Sequence, residues 1–110
     1  MRKIIYGILV LALLVAVMPA EAANVNMQII NNTGYRGYYL YVKPSSSSSW
    51  GPDRLGNDTL ASGSSINLTV ENNRPYDVRL VDEDGDSYTY SMRRSYSGNF
   101  RVTIEFSYMD

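Results

Sequence analysis

Four carboxylates crowd into five residues at Asp82-Glu83-Asp84-Gly85-Asp86, the densest charge in the chain. A hard cation such as Ca2+ collects about six to eight oxygen ligands from a flexible loop, so Asp82, Asp84 and Asp86 form a candidate calcium site. With Asp82 at the first position of a helix-loop-helix calcium loop, Asp84 and Asp86 fall at the third and fifth. Ser87, however, stands where the turn glycine belongs, and Arg93 where a bidentate glutamate belongs. That motif fails. The competing reading is a hairpin whose Asp84-Gly85 pair makes the turn while the flanking carboxylates stay solvated.

Covalent chemistry has few residues to work with. The chain contains neither histidine nor cysteine, which removes the usual neutral-pH general base, the thiol nucleophile and the common ligands of zinc, copper and haem. No serine has a histidine to activate it. Asp53, Asp58 and Asp77 are the candidates for an acid and base pair that would cleave glycosides, but so short a chain can hardly build the cleft that reaction needs. No catalytic residue is assigned, and weak hydrolase activity ranks third among the functional readings.

Non-covalent recognition is better supplied. Trp50, the single tryptophan, sits in a loop between Ser49 and Gly51. It is either an exposed platform for a sugar ring or a partner's side chain, or a plug that anchors the loop to the core, with Asp53 accepting hydrogen bonds from the loop's own amides. Tyr35, Tyr39, Tyr41 and Tyr96 fall outside the inward parity of their segments. Tyrosine suits a half-buried pleated surface, yet its ring also covers contact area at low entropic cost while its hydroxyl finds a partner. Tyr39, Tyr41 and Trp50 are therefore the candidate ligand-binding residues.

The residues that must position these groups begin after a leader. Arg2 and Lys3 precede an apolar run from Ile4 to Met18, followed by Pro19 and the small-residue site Ala20-Glu21-Ala22. The pattern is that of a secretory signal peptide, too short for the roughly 20 residues of a permanent span. We expect cleavage after Ala22, with export to the periplasm or medium and no membrane span after processing. Lipid attachment at the cleavage site would need a cysteine, and there is none. Cleavage removes two basic residues and one acidic one, leaving a formal charge of −2 on residues 23–110. The basic residues are scattered, which argues against nucleic acid as a partner.

Residues 23–110 are enough for one domain, whose core must come from packing and strand pairing without disulfides. Apolar and polar residues alternate in short runs punctuated by Gly, Asn, Asp, Ser and Pro, the rhythm of an antiparallel β-domain. Inward sets are Val25, Met27 and Ile29; Tyr38, Leu40 and Val42; Ile66, Leu68 and Val70; Tyr76, Val78 and Leu80; Tyr88, Tyr90 and Met92; and Phe100, Val102, Ile104 and Phe106. Asn31-Asn32-Thr33-Gly34 supplies turn chemistry. Pro44 and the five serines at 45–49 read as a loop, with one short strand near residues 58–61. Six or seven short strands bury one apolar face each most readily as two packed sheets. The predicted fold is a small antiparallel β-sandwich of immunoglobulin-like proportions, a small closed barrel being the alternative.

Asn31-Asn32-Thr33-Gly34, Trp50-Gly51-Pro52-Asp53-Arg54-Leu55-Gly56 and Tyr76-Asp77-Val78-Arg79-Leu80 with Asp84-Gly85 resemble a family of small exported bacterial proteins. Those proteins carry an early Asn-Asn-Thr-Gly turn, a Trp-Gly-x-Asp-x-Leu loop, a Tyr-Asp-hydrophobic-Arg strand and an Asp-Gly turn. The resemblance covers most of residues 23–110. It implies an all-β module and no established activity, so no functional residue is carried over. Residues and resemblance together point to an exported, non-catalytic binding or structural module. Its partner would be a protein or carbohydrate of the cell envelope, with a Ca2+-dependent domain as the alternative.

Overall fold

The computed structural model describes residues 23–110, and the expected leader at 1–22 lies outside them. Six strands follow one another along the chain: β1 Asn24–Asn32, β2 Gly37–Pro44, β3 Ser65–Glu71, β4 Tyr76–Asp82, β5 Ser87–Ser91 and β6 Phe100–Glu105. A 3-10 turn at Phe106–Tyr108 ends the order. The strands form two three-stranded sheets, β3-β1-β6 and β2-β4-β5, with no ladder joining them. The architecture is thus an all-β sandwich and not a closed barrel. No helix among the described residues is long and apolar enough to cross a membrane.

Alternation places the core. Met27 and Ile29 of β1, Leu40 and Val42 of β2, Val78 and Leu80 of β4, Tyr88 of β5 and Val102 and Ile104 of β6 meet between the sheets, each less than a tenth exposed. Burying a side chain of this size contributes on the order of 1.5–3 kcal/mol, and eight or so of them in contact supply the drive that disulfides would otherwise supplement. Three of the four ladders are antiparallel. The fourth, β1 beside β6, is parallel, with Met27 opposite Phe100 and Ile29 opposite Val102. Parallel pairing needs a crossover, and the four intervening strands provide it.

Two inward expectations are corrected. Tyr38 is 41% exposed, because the β2–β4 register slips between Gly37 and Tyr39 and the extra residue turns Tyr38 outward. Gly37 takes the inward place instead, and a Cβ there would lie 2.5 Å from Leu80 Cδ1, so any larger residue would require the Leu80 side chain to move. Phe106 is 54% exposed, since β6 ends at Glu105 and the 3-10 turn breaks the period of two.

The serine-rich segment is a loop, as expected, and it folds back along the free edge of β2. Arg54 N–H donates to Leu40 O at 2.7 Å, and Gly37 and Leu60 exchange both backbone hydrogen bonds. That exchange is a single bridge where a short strand is predicted near residues 58–61. Leu55 and Leu60 are buried and pin the loop to the core. The edge of β2 is thereby covered, which removes a template for unwanted pairing.

Candidate functional site

Opposite in parity to Leu40 and Val42, Tyr39, Tyr41 and Lys43 leave β2 on the outer face of the second sheet. The β2–β4 register sets Tyr39 beside Val81, Tyr41 beside Arg79 and Lys43 beside Asp77. On the far side of β4, Asp77 neighbours Ser91 and Arg79 neighbours Thr89. The outer face is thus a ribbon of aromatic and charged residues over an apolar inner one.

Trp50 closes over one end of that ribbon. Its ring centroid lies 5.0 Å from Lys43 Nζ and 4.6 Å from the Arg79 guanidinium carbon, so the indole rests on two cations. Cation–π contacts of this kind contribute about 0.5–2 kcal/mol, more as water is excluded. Trp50 is half-buried on the outside of a sheet. Its packing on Lys43 and Arg79 ties the loop to the sheet while part of the ring stays in solvent. Asp53 plays its expected part, with Oδ1 accepting from the Leu55 amide at 3.0 Å and from Leu40 N–H of β2 at 2.9 Å.

Beneath the indole and its loop, Lys43 Nζ donates to Asp77 Oδ2 and to Ser47 O, both at 2.9 Å, while Ser45 Oγ donates to Asp77 Oδ1 at 2.8 Å. The two side chains of this ion pair are only 13% and 16% exposed. Burial of Asp77 works against its ionisation, but hydrogen bonds from Lys43, Ser45 and Ser91 outweigh it and hold the carboxyl below its usual range. Arg79 Nε donates to Thr89 Oγ1 at 3.0 Å, and Thr89 in turn donates to Asp110 Oδ2 at 2.6 Å. These bonds fix the polar side chains, while Tyr39 stays 47% exposed and Tyr41 half-exposed beside them.

The other tyrosines outside the inward parity lie elsewhere. The Tyr35 ring leans on Phe106 at 6.2 Å between centroids, and the Tyr96 ring on Phe100 at 6.1 Å. Of the three predicted carboxylates for glycoside chemistry, Asp53 is engaged by loop amides and Asp77 by Lys43, and Asp58 is exposed.

The acidic segment forms the β4–β5 turn. Asp82 is 2% exposed; its Oδ1 accepts from the amides of Asp84 and Asp86 at 2.9 and 3.0 Å, and its Oδ2 accepts from the Tyr88 hydroxyl at 2.8 Å. Carboxylate oxygens of Asp82, Asp84 and Asp86 come within 4.8 Å of one another, with Asp84 and Asp86 in solvent. Both Asp82 oxygens are thus already engaged in closing the hairpin, and an ion there would compete with those bonds. Burial, followed by the hydrogen bond to Asp82, pushes the Tyr88 phenol well above its ordinary range.

Arg79 is the side chain of this candidate face that sequence reasoning passes over. The signal for it lies in the strand itself, since Val78 and Leu80 point inward and leave Arg79 on the face shared by Tyr39 and Tyr41. Comparison with protein-family models, curated proteins and solved structures finds no match.

Proposed function

We propose that this chain is an exported, non-catalytic binding module, released by cleavage of residues 1–22 and acting in the periplasm or outside the cell. We further propose that it belongs with the small exported all-β proteins whose motifs it resembles. Its contact surface is the outer face of the second sheet, and its partner is a protein or carbohydrate of the cell envelope. The observation that carries this reading is the convergence of Tyr39, Tyr41 and Trp50, far apart in type of local structure, on one face around Arg79. Aromatic rings and arginine are enriched at the energetic centres of contact surfaces, the rings because they cover area with few rotatable bonds and arginine because its planar guanidinium stacks and donates several hydrogen bonds. Lys43, Asp77 and Thr89 hold the surface in one arrangement before a partner arrives, which lowers the ordering cost of binding.

The test is cross-linking in the native envelope followed by mass spectrometry, comparing the unaltered protein with a Tyr39→Ala, Tyr41→Ala double variant. Both side chains are partly exposed, so the variant keeps its fold, and circular dichroism checks this. We expect a defined set of cross-linked partners that the double variant loses. The same set recovered from both proteins would overturn the assignment of this face.

A further inference from the structure

The other face of the molecule carries a cavity of about 170 Å³, lined by Asn26, Gln28, Asn99, Phe100 and Arg101. Asn26 and Gln28 leave β1 with parity opposite to Met27 and Ile29, and Gln28 pairs in register with Arg101 of β6, so the cavity opens on the outside of the first sheet. We infer that it is a binding subsite for a carboxylate-bearing sugar residue of an acidic saccharide, distinct from the aromatic face of the second sheet.

Three observations lead there. The first is hydrogen-bonding capacity. Asn26 Nδ2 donates to Asn67 Oδ1 and Gln28 Nε2 to Ser65 Oγ, while Asn99 Oδ1 accepts from Asn26 N–H. Those bonds orient the three amides and leave the Asn26 and Gln28 carbonyls and the Asn99 amino group with no partner among the described residues. Amides that offer both donors and acceptors match the hydroxyls of a sugar ring, each of which does both.

The second is charge. Arg101, on β6 of the first sheet, lines the cavity, and Arg93 and Arg94 follow the end of β5; none of the three forms an ion pair among the described residues. Of the carboxylates, Glu71 is paired with Arg74 and Asp77 with Lys43. The cavity lining thus holds one guanidinium, that of Arg101, and no carboxylate, and a guanidinium fork matches a carboxylate in two parallel hydrogen bonds.

The third is shape. The volume falls below the roughly 300–1,000 Å³ of pockets that enclose a whole small molecule, which suits one unit of a longer chain. Tyr96, whose ring centroid lies 6.1 Å from that of the lining residue Phe100, is 41% exposed and carries the Arg94 guanidinium carbon 5.3 Å from its own centroid, an aromatic surface and a second cation for a neighbouring sugar.

The experiment is a titration of the isotope-labelled protein with oligomers of galacturonate, alginate and hyaluronan, followed through the side-chain amide signals by heteronuclear NMR. We expect saturable shifts of the Asn26, Gln28 and Asn99 amide groups with at least one uronate oligomer. Affinity should fall at least about tenfold in Arg101→Gln, the loss expected for a charge-assisted hydrogen bond. Maltotriose, which is neutral, should bind at least as weakly as the oligomer binds the variant. Arg101 is exposed, so its replacement leaves the melting temperature in place; Gln28→Ala provides a second variant with the same expectation. The Tyr39→Ala, Tyr41→Ala variant should bind the oligomers unchanged, which separates this site from the proposed contact face. Absence of saturable shifts with all three oligomers overturns the inference. So does an equal response to sodium acetate at matched carboxylate, or undiminished binding by Arg101→Gln.

Discussion

Asn31 has no exposed surface, and its polar atoms all have partners. Its Nδ2 donates to Tyr35 O at 2.8 Å and to Leu60 O at 2.9 Å, and its Oδ1 accepts from both the amide and the hydroxyl of Thr33. A residue type that signals a turn therefore acts here as an internal tie between the end of β1 and the loop that guards β2. Replacing Asn31 by Ala should destabilise the fold by about 2–4 kcal/mol, since it strands buried partners as well as deleting bonds. Urea unfolding measures this, and a loss within experimental error would refute the role. At Asp77 the consequence is pH dependence. Its carboxyl titrates lower in the folded state than in the unfolded chain, so the unfolded state binds more protons in mildly acid solution and stability rises with pH there. The contribution is complete above the ordinary carboxylate value of about 4 and is lost as pH falls through the lower folded value. Asp77→Asn should be less stable at pH 7 and show a shallower decline between about pH 5 and 2, read from urea midpoints across pH. A parallel decline in both proteins would mean that other carboxylates carry the acid sensitivity.

Among the elements, the β4–β5 hairpin shows how one acidic run is used. Gly85 adopts a φ of 81°, Asp82 O accepts from Gly85 N–H, and the Asp82 carboxylate gathers two further amides and the Tyr88 hydroxyl. Both Asp82 carboxylate oxygens are engaged by these groups. Millimolar Ca2+ should therefore leave the melting temperature nearly unchanged, whereas a site filled at 100 times its dissociation constant would add about 2.7 kcal/mol. In a domain of this size that is a rise of roughly 10 °C or more, and such a rise would establish calcium binding. The slip between Gly37 and Tyr39 in β2 has a different effect: it exposes Tyr38 next to Tyr39 and so widens the aromatic surface at the end of the strand away from Trp50.

For the whole molecule, the order of pairing decides how it assembles. Only β4 and β5 are both adjacent in the chain and paired; β1 waits for β3 and β6, and β2 for β4. Loop closure must precede most of the stabilising contacts, so folding should take milliseconds to seconds, as in other sandwiches. Stopped-flow refolding from urea tests this, and complete folding within about 100 microseconds would contradict the topology. The same arrangement turns one sheet's outer face aromatic and the other's amide-rich.

What the amino-acid order determined alone is whatever depends on period and local chemistry: an all-β fold, the inward rows such as Val78 and Leu80 or Val102 and Ile104, a turn within the acidic run, and the loop nature of the serine run. Each of these rests on residues a few positions apart. Tertiary structure alone decided the parallel partnership of β1 and β6, the burial of Asn31, and the exposure of Tyr38 and Phe106 where the alternation breaks. It also decided the meeting of Trp50 with Lys43 and Arg79, and of Asn26 and Gln28 with Arg101. Those contacts join segments separated by long loops, and the side-chain period along a strand says which face a residue takes but nothing about which strand will lie beside it.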